Sequence, residues 1–260
     1  MRIERFVETN NLLSYEQAGF RKREECVGQV VSLVGHHSAQ TECWAKHPCS
    51  IHRYPKGIRY SPRWCTVMEA AETWDSLVVL LPFSKALYTS SSARARAGSL
   101  LSGPFPVQRG VRQGCPLSGL LFNLFINDIL DGVAPITVPG LPRDTNPIRG
   151  LMYADNVEVF ADSEQSLLAA STAVEQWANQ WEMQFGVAKC DIISFTGHLA
   201  PRLDNPLNIR LHGQFVSRVE SYKYLGVLIN SKLDHSVWLK QKRSALEHTI
   251  SALHPVLANH

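Results

Sequence analysis

Residues Arg149–Asp162 read RGLMYADNVEVFAD. An apolar run through Leu151 and Met152 stops at Asp155, turns, and resumes at Val157 as an alternating strand. Two such runs around an Asp-Asn pair predict a β-hairpin. Asp155 and Asn156 would form its tight turn, because both side chains tolerate positive φ. One carboxylate, Asp155, then stands at the tip with the Asn156 amide beside it. Such a tip is either a metal ligand or an ordinary turn, and the rest of the chain has to decide between them.

Upstream, QGCPLSGLLFNLFINDIL carries Leu117, Leu120, Leu121, Leu124, Phe125 and Ile129 at a helical period, with Pro116 suited to a first turn. Downstream, EQSLLAASTAVEQWANQWEMQF predicts a helix with Leu167, Val174, Trp177 and Trp181 on one side. CDIISF, QFVS and YKYLGVLI read as strands, and residues 236–257 as a final helix. SLVVLLPF, residues 76–83, is a short apolar run of the buried-strand kind, with Pro82 near its end. Residues 134–148 hold four Pro and form a loop. Residues 1–35 read as a helix, with Ile3, Phe6 and Val7 on its apolar face, followed by loop. Residues 36–66 have no helix or strand period and read as a long irregular insertion.

The 260 residues suffice for one large domain or two small ones, and 45% apolar with 19% charged residues is a globular composition. The net charge of +3 names no partner, but its distribution is informative. Between Asp75 and Asp128 stand Lys85, Arg94, Arg96, Arg109 and Arg112 with no acid among them. A basic stretch free of counter-charge is either a solvated face or a surface for a polyanion. Six Cys at irregular spacing, without a CxxC pair, and a polar N-terminus predict a reduced, intracellular chain of nucleus or cytoplasm that is not secreted. No apolar run approaches a membrane span. His36, His37, Cys43, His47, Cys49 and His52 cluster as C-x3-H-x-C-x2-H over their last four members. That lacks the tight paired spacing of a zinc site, so they read as loop residues.

Taken in order, these pieces resemble the reverse transcriptase domain of non-LTR (LINE-type) retrotransposons. QRGVRQGCPLSGLLFNLFINDIL is similar to the family's template-handling motif, and NNLLSYEQAGFRKR to its fingers motif. YADN stands where the family has YADD. WANQWEMQFGVAKCDIISF is similar to the following helix-and-strand motif, and ESYKYLGVLIN to the primer-grip strand pair. The resemblance implies an α+β, right-hand polymerase: partial fingers over 1–75, palm over 76–230 and the start of a thumb over 231–260. It implies an RNA template, a DNA primer and dNTP as partners, no membrane, and Mg²⁺ as cofactor. Two Mg²⁺ held by paired Asp residues would activate the primer hydroxyl.

Carried over residue by residue, the resemblance makes Asp155 the metal ligand, with Asn156 and Lys189 beside it as catalytic positions and Lys189 as a general acid. Arg21, Lys22, Arg109, Arg112, Gln113 and Gly114 become nucleotide or template contacts. Tyr222, Tyr224, Leu225 and Gly226 become the primer grip. Each has a plain structural alternative: turn, helix cap, solvated cation or strand residue.

The family pattern also fails in places. Its first metal-binding Asp sits in a strand reading like LDFSKAYDT; here the matching stretch is LPFSKALYT, with Pro82 at that position, Leu87 at the aromatic gate and Tyr88 at the next acid. Proline carries no ligand. Asp75 lies seven residues upstream, roughly 23 Å along an extended strand, too far to substitute, and Asp162 reads as a surface residue. The link from KALYT to the template motif is short, as if a palm helix were deleted. The sequence therefore predicts a polymerase by descent that is inactive, because its carboxylate set is incomplete and a palm helix is missing, or a non-catalytic nucleic-acid-binding remnant.

Overall fold

The computed structural model describes residues 2–22, 24–41, 49–54, 91–107, 111–112, 114–136, 147–195 and 208–257. Among them the elements run α1 (Arg2–Thr9), α2 (Cys26–Thr41), β1 (Cys49–Tyr54), β2 (Ser92–Ala93), β3 (Arg96–Ala97), β4 (Leu100–Leu101) and β5 (Phe105–Pro106). There follow α3 (Ser118–Phe125), β6 (Gly150–Tyr153), β7 (Asn156–Ala161), α4 (Glu164–Gln180), β8 (Asp191–Phe195), β9 (Arg210–Leu211), β10 (Gln214–Phe215), β11 (Ser217–Arg218), β12 (Ser221–Tyr224), β13 (Val227–Asn230) and α5 (Ser236–Leu257). This mixture of helices with a largely antiparallel sheet is an α+β fold.

The central sheet has the order β11-β8-β1-β7-β6, antiparallel except for the β11–β8 edge. It separates two apolar clusters. One packs Met152, Val157, Val159, Ala161 and Ile192 against Phe125, Ile129, Leu167, Val174 and Trp177 from the α3 and α4 side. The other packs Leu151, Phe160, Ile193 and Phe195 against Val30 and Leu33 of α2 and against Tyr222, Tyr224 and Ile229 of the β12–β13 hairpin. A third cluster joins Val7 of α1 to Leu117, Leu120 and Leu121 around α3.

Being covered on both faces changes the reading of β7. Its expected alternation of buried and exposed residues is absent: all six residues are buried, Glu158 included. Polar letters alternating with apolar ones signal a half-buried strand only where one face meets water.

Two further expectations change. Residues 36–66 are not irregular throughout. α2 runs through His36 and His37 to Thr41, and Cys49 and His52 belong to β1, paired on both edges in the middle of the sheet. The loop after the first helix is likewise shorter than expected, since α2 begins at Cys26. Cys43, His47 and the 76–83 run, with Pro82, Leu87, Tyr88 and Asp75, lie outside the described residues. The helix of 236–257 is as expected; α4 ends at Gln180, short of the expected Phe185, and starts at a Ser163 cap whose side chain accepts from Ser166 N, with Ser166 reciprocating. α3 is shorter than its periodic stretch. Its eight residues end at Phe125, and tight turns carry the buried Ile126, Ile129, Leu130 and Val133.

Candidate functional site

The Asp155 tip is a two-residue hairpin turn, but its residues are Ala154 and Asp155. Tyr153 pairs with Asn156, which is already the first residue of β7. Ala154 alone in the turn takes positive φ, 54°. Expecting Asp155-Asn156 in the turn was a slip of one residue, because Ala is a poor candidate for a left-handed position.

What holds Ala154 there comes from far away in sequence. Gln17 bridges to β6, with Ala18 N donating to Met152 O at 2.9 Å and Met152 N to Glu16 O at 2.8 Å. The Gln17 side-chain oxygen accepts from Gly19 N at 2.8 Å and from Ala154 N at 3.2 Å. Asn123 of α3 donates its amide to Gly19 O. Gly19 lies so close to the tip that a Cβ there would stand 2.1 Å from Ala154 N. Beneath them Glu16, with its side chain 1% exposed, takes the Arg149 backbone N–H at 2.9 Å, the Ser14 hydroxyl at 3.0 Å and the Arg149 guanidinium at 3.8 Å. These positioning residues were not found in the sequence. The only local signal is a glycine following two polar residues in YEQAG.

In front of the tip opens a cleft of about 740 Å³, lined by Glu4, Phe20, Val111, Arg112, Gly114, Cys115, Leu120, Phe122, Ala154 and Asp155 among others. The fold thus brings together three sequence-predicted site residues, Asp155, Arg112 and Gly114. Gly114 takes φ of 82°, and a Cβ there would meet nothing within 4 Å. It serves as a turn ahead of α3. The N-cap of α3 is Leu117, without a side-chain cap, while the Ser118 hydroxyl donates to Arg112 O at 2.6 Å.

Other predicted residues stand elsewhere. Arg21 does not line the cleft. Its guanidinium is occupied by both Glu8 carboxylate oxygens, at 3.0 and 2.7 Å, and by Ser14 O and Gln17 O at 3.1 Å each, so it clamps the loop to α1. Lys22 pairs with Glu4 at 3.2 Å. Lys189 is exposed in the turn before β8 and lines a separate hollow with Phe185, Gly186, His212 and Gln214. Because β1's Arg53 is the register partner of both Glu158 and Asp191, Lys189 and the Asp155 tip share one end of the sheet. Glu158 and Asp191 themselves stand two strand spacings, about 10 Å, apart.

Tyr222 and Tyr224 are core residues, 4% and 0% exposed, where nucleic-acid contacts were expected. Packing against Ile193 and Phe195 draws both rings inward; Leu225 and Gly226 are half-buried, and the exposed side chains of this strand are Ser221 and Lys223. Asp162 is exposed and accepts from the Ser166 hydroxyl, as a surface residue should. Arg109 and Gln113 lie outside the described residues.

The chain matches, over residues 1–229, the family model described as reverse transcriptase (RNA-dependent DNA polymerase). It is 26% identical over 159 residues to the RNA-directed DNA polymerase from mobile element jockey of Drosophila melanogaster, covering 59% of this chain and 16% of that protein. It is 28% identical over 133 residues to the retrovirus-related Pol polyprotein from type-1 retrotransposable element R2 of Nasonia vitripennis, covering 47% of this chain and 12% of that protein. The chain spans less than a fifth of the length of these relatives.

The family implies divalent metal ions, and the residues present can be tested for them. Among the described residues no group of three or more His, Cys, Asp or Glu is placed to hold a metal. The cleft presents two carboxylates, Asp155 and a Glu4 already paired with Lys22. The Asn156 amide is buried at 7% exposure and donates to Tyr153 O at 3.4 Å. Mg²⁺ demands several oxygen ligands in near-octahedral array, and a two-ion site needs anionic oxygen shared between the ions. The described donor set does not fit that pair.

Proposed function

The chain belongs to the reverse transcriptase (RNA-dependent DNA polymerase) family, on its LINE-type, non-LTR retrotransposon side, and from that premise we propose that it is a right-hand polymerase domain by descent that no longer transfers nucleotides. The observation that carries this reading is the donor set. Asp155 stands in the cleft without a second unpaired carboxylate among the described residues, and Pro82 occupies the sequence position where the resemblance calls for one. In this reading residues 1–75 are partial fingers, 76–230 palm and 231–260 the start of a thumb. Strand β1 of the insertion is then taken into the palm sheet. Lys189, Asn156, Lys22, Arg112 and Gly114 are inherited nucleotide-site positions that no longer serve a reaction.

The acid-free basic stretch from 76 to 127 favours a second reading, a retained nucleic-acid-binding module for template, primer or both. No helix among the described residues is long and apolar enough to cross a membrane.

The donor-set argument is tested by titrating the protein with Mn²⁺ as a paramagnetic stand-in for Mg²⁺ and reading the free-ion resonance. Wild type and Asp155→Ala should release the same signal at every step. Two ions taken up per chain, and lost in Asp155→Ala, would mean that a second carboxylate reaches the tip and would overturn the reading.

A further inference from the structure

Between the palm motifs the chain makes a ribbon. β2 pairs with β5 (Ser92 opposite Pro106, Ala93 opposite Phe105), and β3 pairs with β4 (Arg96 opposite Leu101, Ala97 opposite Leu100). Ser102 N donates to Ala95 O at 2.9 Å between the two pairs, and Gly98, at φ of 62°, closes the tip. From Arg94 to Val107 every residue is exposed. A two-stranded ribbon alone is marginal in water.

Its charge is of one sign. Arg94 stands in the link between β2 and β3, Arg96 is the first residue of β3, and both are exposed. Among the described residues neither side chain makes a hydrogen bond or an ion pair, in contrast to Arg21, Lys22 and Arg243, each of which has a carboxylate partner. No acid lies anywhere from 76 to 127 to neutralise these two cations from within their own segment. The ribbon is also tied to the cleft. Val107 N donates to Ser91 O at 2.8 Å at its root, and the guanidinium of Arg112, a cleft residue, donates to the Ser91 hydroxyl at 2.9 Å.

We infer that the exposed Arg94 and Arg96 of this ribbon are a nucleic-acid backbone contact that extends the cleft outward. Two residues apart, they stand within the reach of about 7 Å that two residues of extended chain span, which covers two phosphate steps of one nucleic-acid strand at about 3.4 Å each along the axis. The contact is electrostatic and reads no sequence, since arginines on a ribbon face meet phosphates without entering a groove. The inference rests on the binding reading above and gives it a surface that the cleft does not contain.

The test is fluorescence anisotropy of a labelled RNA–DNA hybrid duplex over a range of salt, with wild type, Arg94→Gln/Arg96→Gln and Arg210→Gln/Lys232→Gln. The last pair removes the same charge from exposed positions elsewhere. Thermal unfolding of all three establishes that they fold alike. The arm variant should bind more weakly, and the slope of log affinity against log salt should shrink by about two, while the charge-matched variant keeps the wild-type slope. Equal slopes in wild type and arm variant, or equal shrinkage in both variants, would overturn the arm as a contact. Wild type that does not bind the duplex at all would overturn the binding reading together with the arm. None of these outcomes bears on catalysis, which is read separately by primer extension.

Discussion

The β6–β7 and β12–β13 hairpins each turn through two residues, Ala154–Asp155 and Leu225–Gly226. In the second, both residues have positive φ, 44° and 95°, and the glycine takes the more demanding value. That turn matches strand twist, with glycine at the second position where positive φ costs least. In the first, an alanine is held at 54° by groups more than a hundred residues away in sequence. Gln17 accepts from its N–H, and Gly19 makes room for its backbone. The comparison teaches that the Asp155 tip is shaped by segments far off in the sequence, whereas the Gly226 turn rests on its own glycine and on near neighbours, with Leu225 packed on the core and Trp238 donating to Gly226 O at 3.2 Å. A tip built in that way would keep its form with or without chemistry at Asp155, because the packing that enforces it also holds the fold together.

Substitutions can break or sharpen that contrast. Gly19→Ala should be the most damaging, since its Cβ would meet backbone on the opposite segment and one of the two must move. A loss of about 3 kcal/mol is expected for such overpacking, read by chemical denaturation. Gln17→Leu removes the acceptor of two backbone N–H groups and should cost about 2 kcal/mol. Its own buried amide nitrogen lacks a partner, and removing that group offsets part of the loss. Gly226→Ala, which strains only a local turn, should cost about 1 kcal/mol. If Gly226→Ala proved more damaging than Gly19→Ala, the contrast between the two hairpins would be wrong. Ala154→Gly should be close to neutral, within about 1 kcal/mol, because relief of the left-handed alanine is set against a more flexible unfolded chain.

A finer probe lies beneath the first hairpin, where Trp177 donates its indole N–H to Asp128 at 2.8 Å. Burial pushes the Asp128 carboxyl above the ordinary carboxylate range, and the Trp177 hydrogen bond only partly opposes this. The folded protein therefore holds the Asp128 proton more tightly than the unfolded chain does. Its contribution to stability falls as pH rises from the ordinary value through the raised one, then stays low. Asp128→Asn should accordingly raise the Tm at neutral pH and lose that advantage as the solution is acidified below the ordinary carboxylate range. A constant difference across pH would show that the carboxyl is not the group responsible.

Much of the fold can be read from the sequence, because its signals are local. The α4 helix announces itself by Leu167, Val174 and Trp177 at helical spacing, and these three are buried as that spacing demands. The hairpin was legible as a hairpin from its two apolar runs, though not its turn residues, since propensity favours Asn over Ala at positive φ. Strand β1 was illegible. CSIHRY alternates only over its first four residues, too briefly to stand out, and it is a strand because β7 and β8 each offer it an open ladder edge. The site divides in the same way. Asp155, Arg112 and Gly114 were readable as motif letters, while Glu16, Gln17, Gly19 and Asn123 act only across the tertiary fold. The burial of Tyr222 and Tyr224 was not legible, because a strand alternating in a motif looks the same whether its aromatic face meets a ligand or a core.

The most direct measurement is primer extension on an RNA template with Mg²⁺ and dNTPs, using protein shown to unfold cooperatively, beside Asp155→Ala. The account predicts no extension by either protein. Extension by the wild type that is lost in Asp155→Ala would contradict it, because a second carboxylate would then have to reach a tip from which Pro82 removed the expected one.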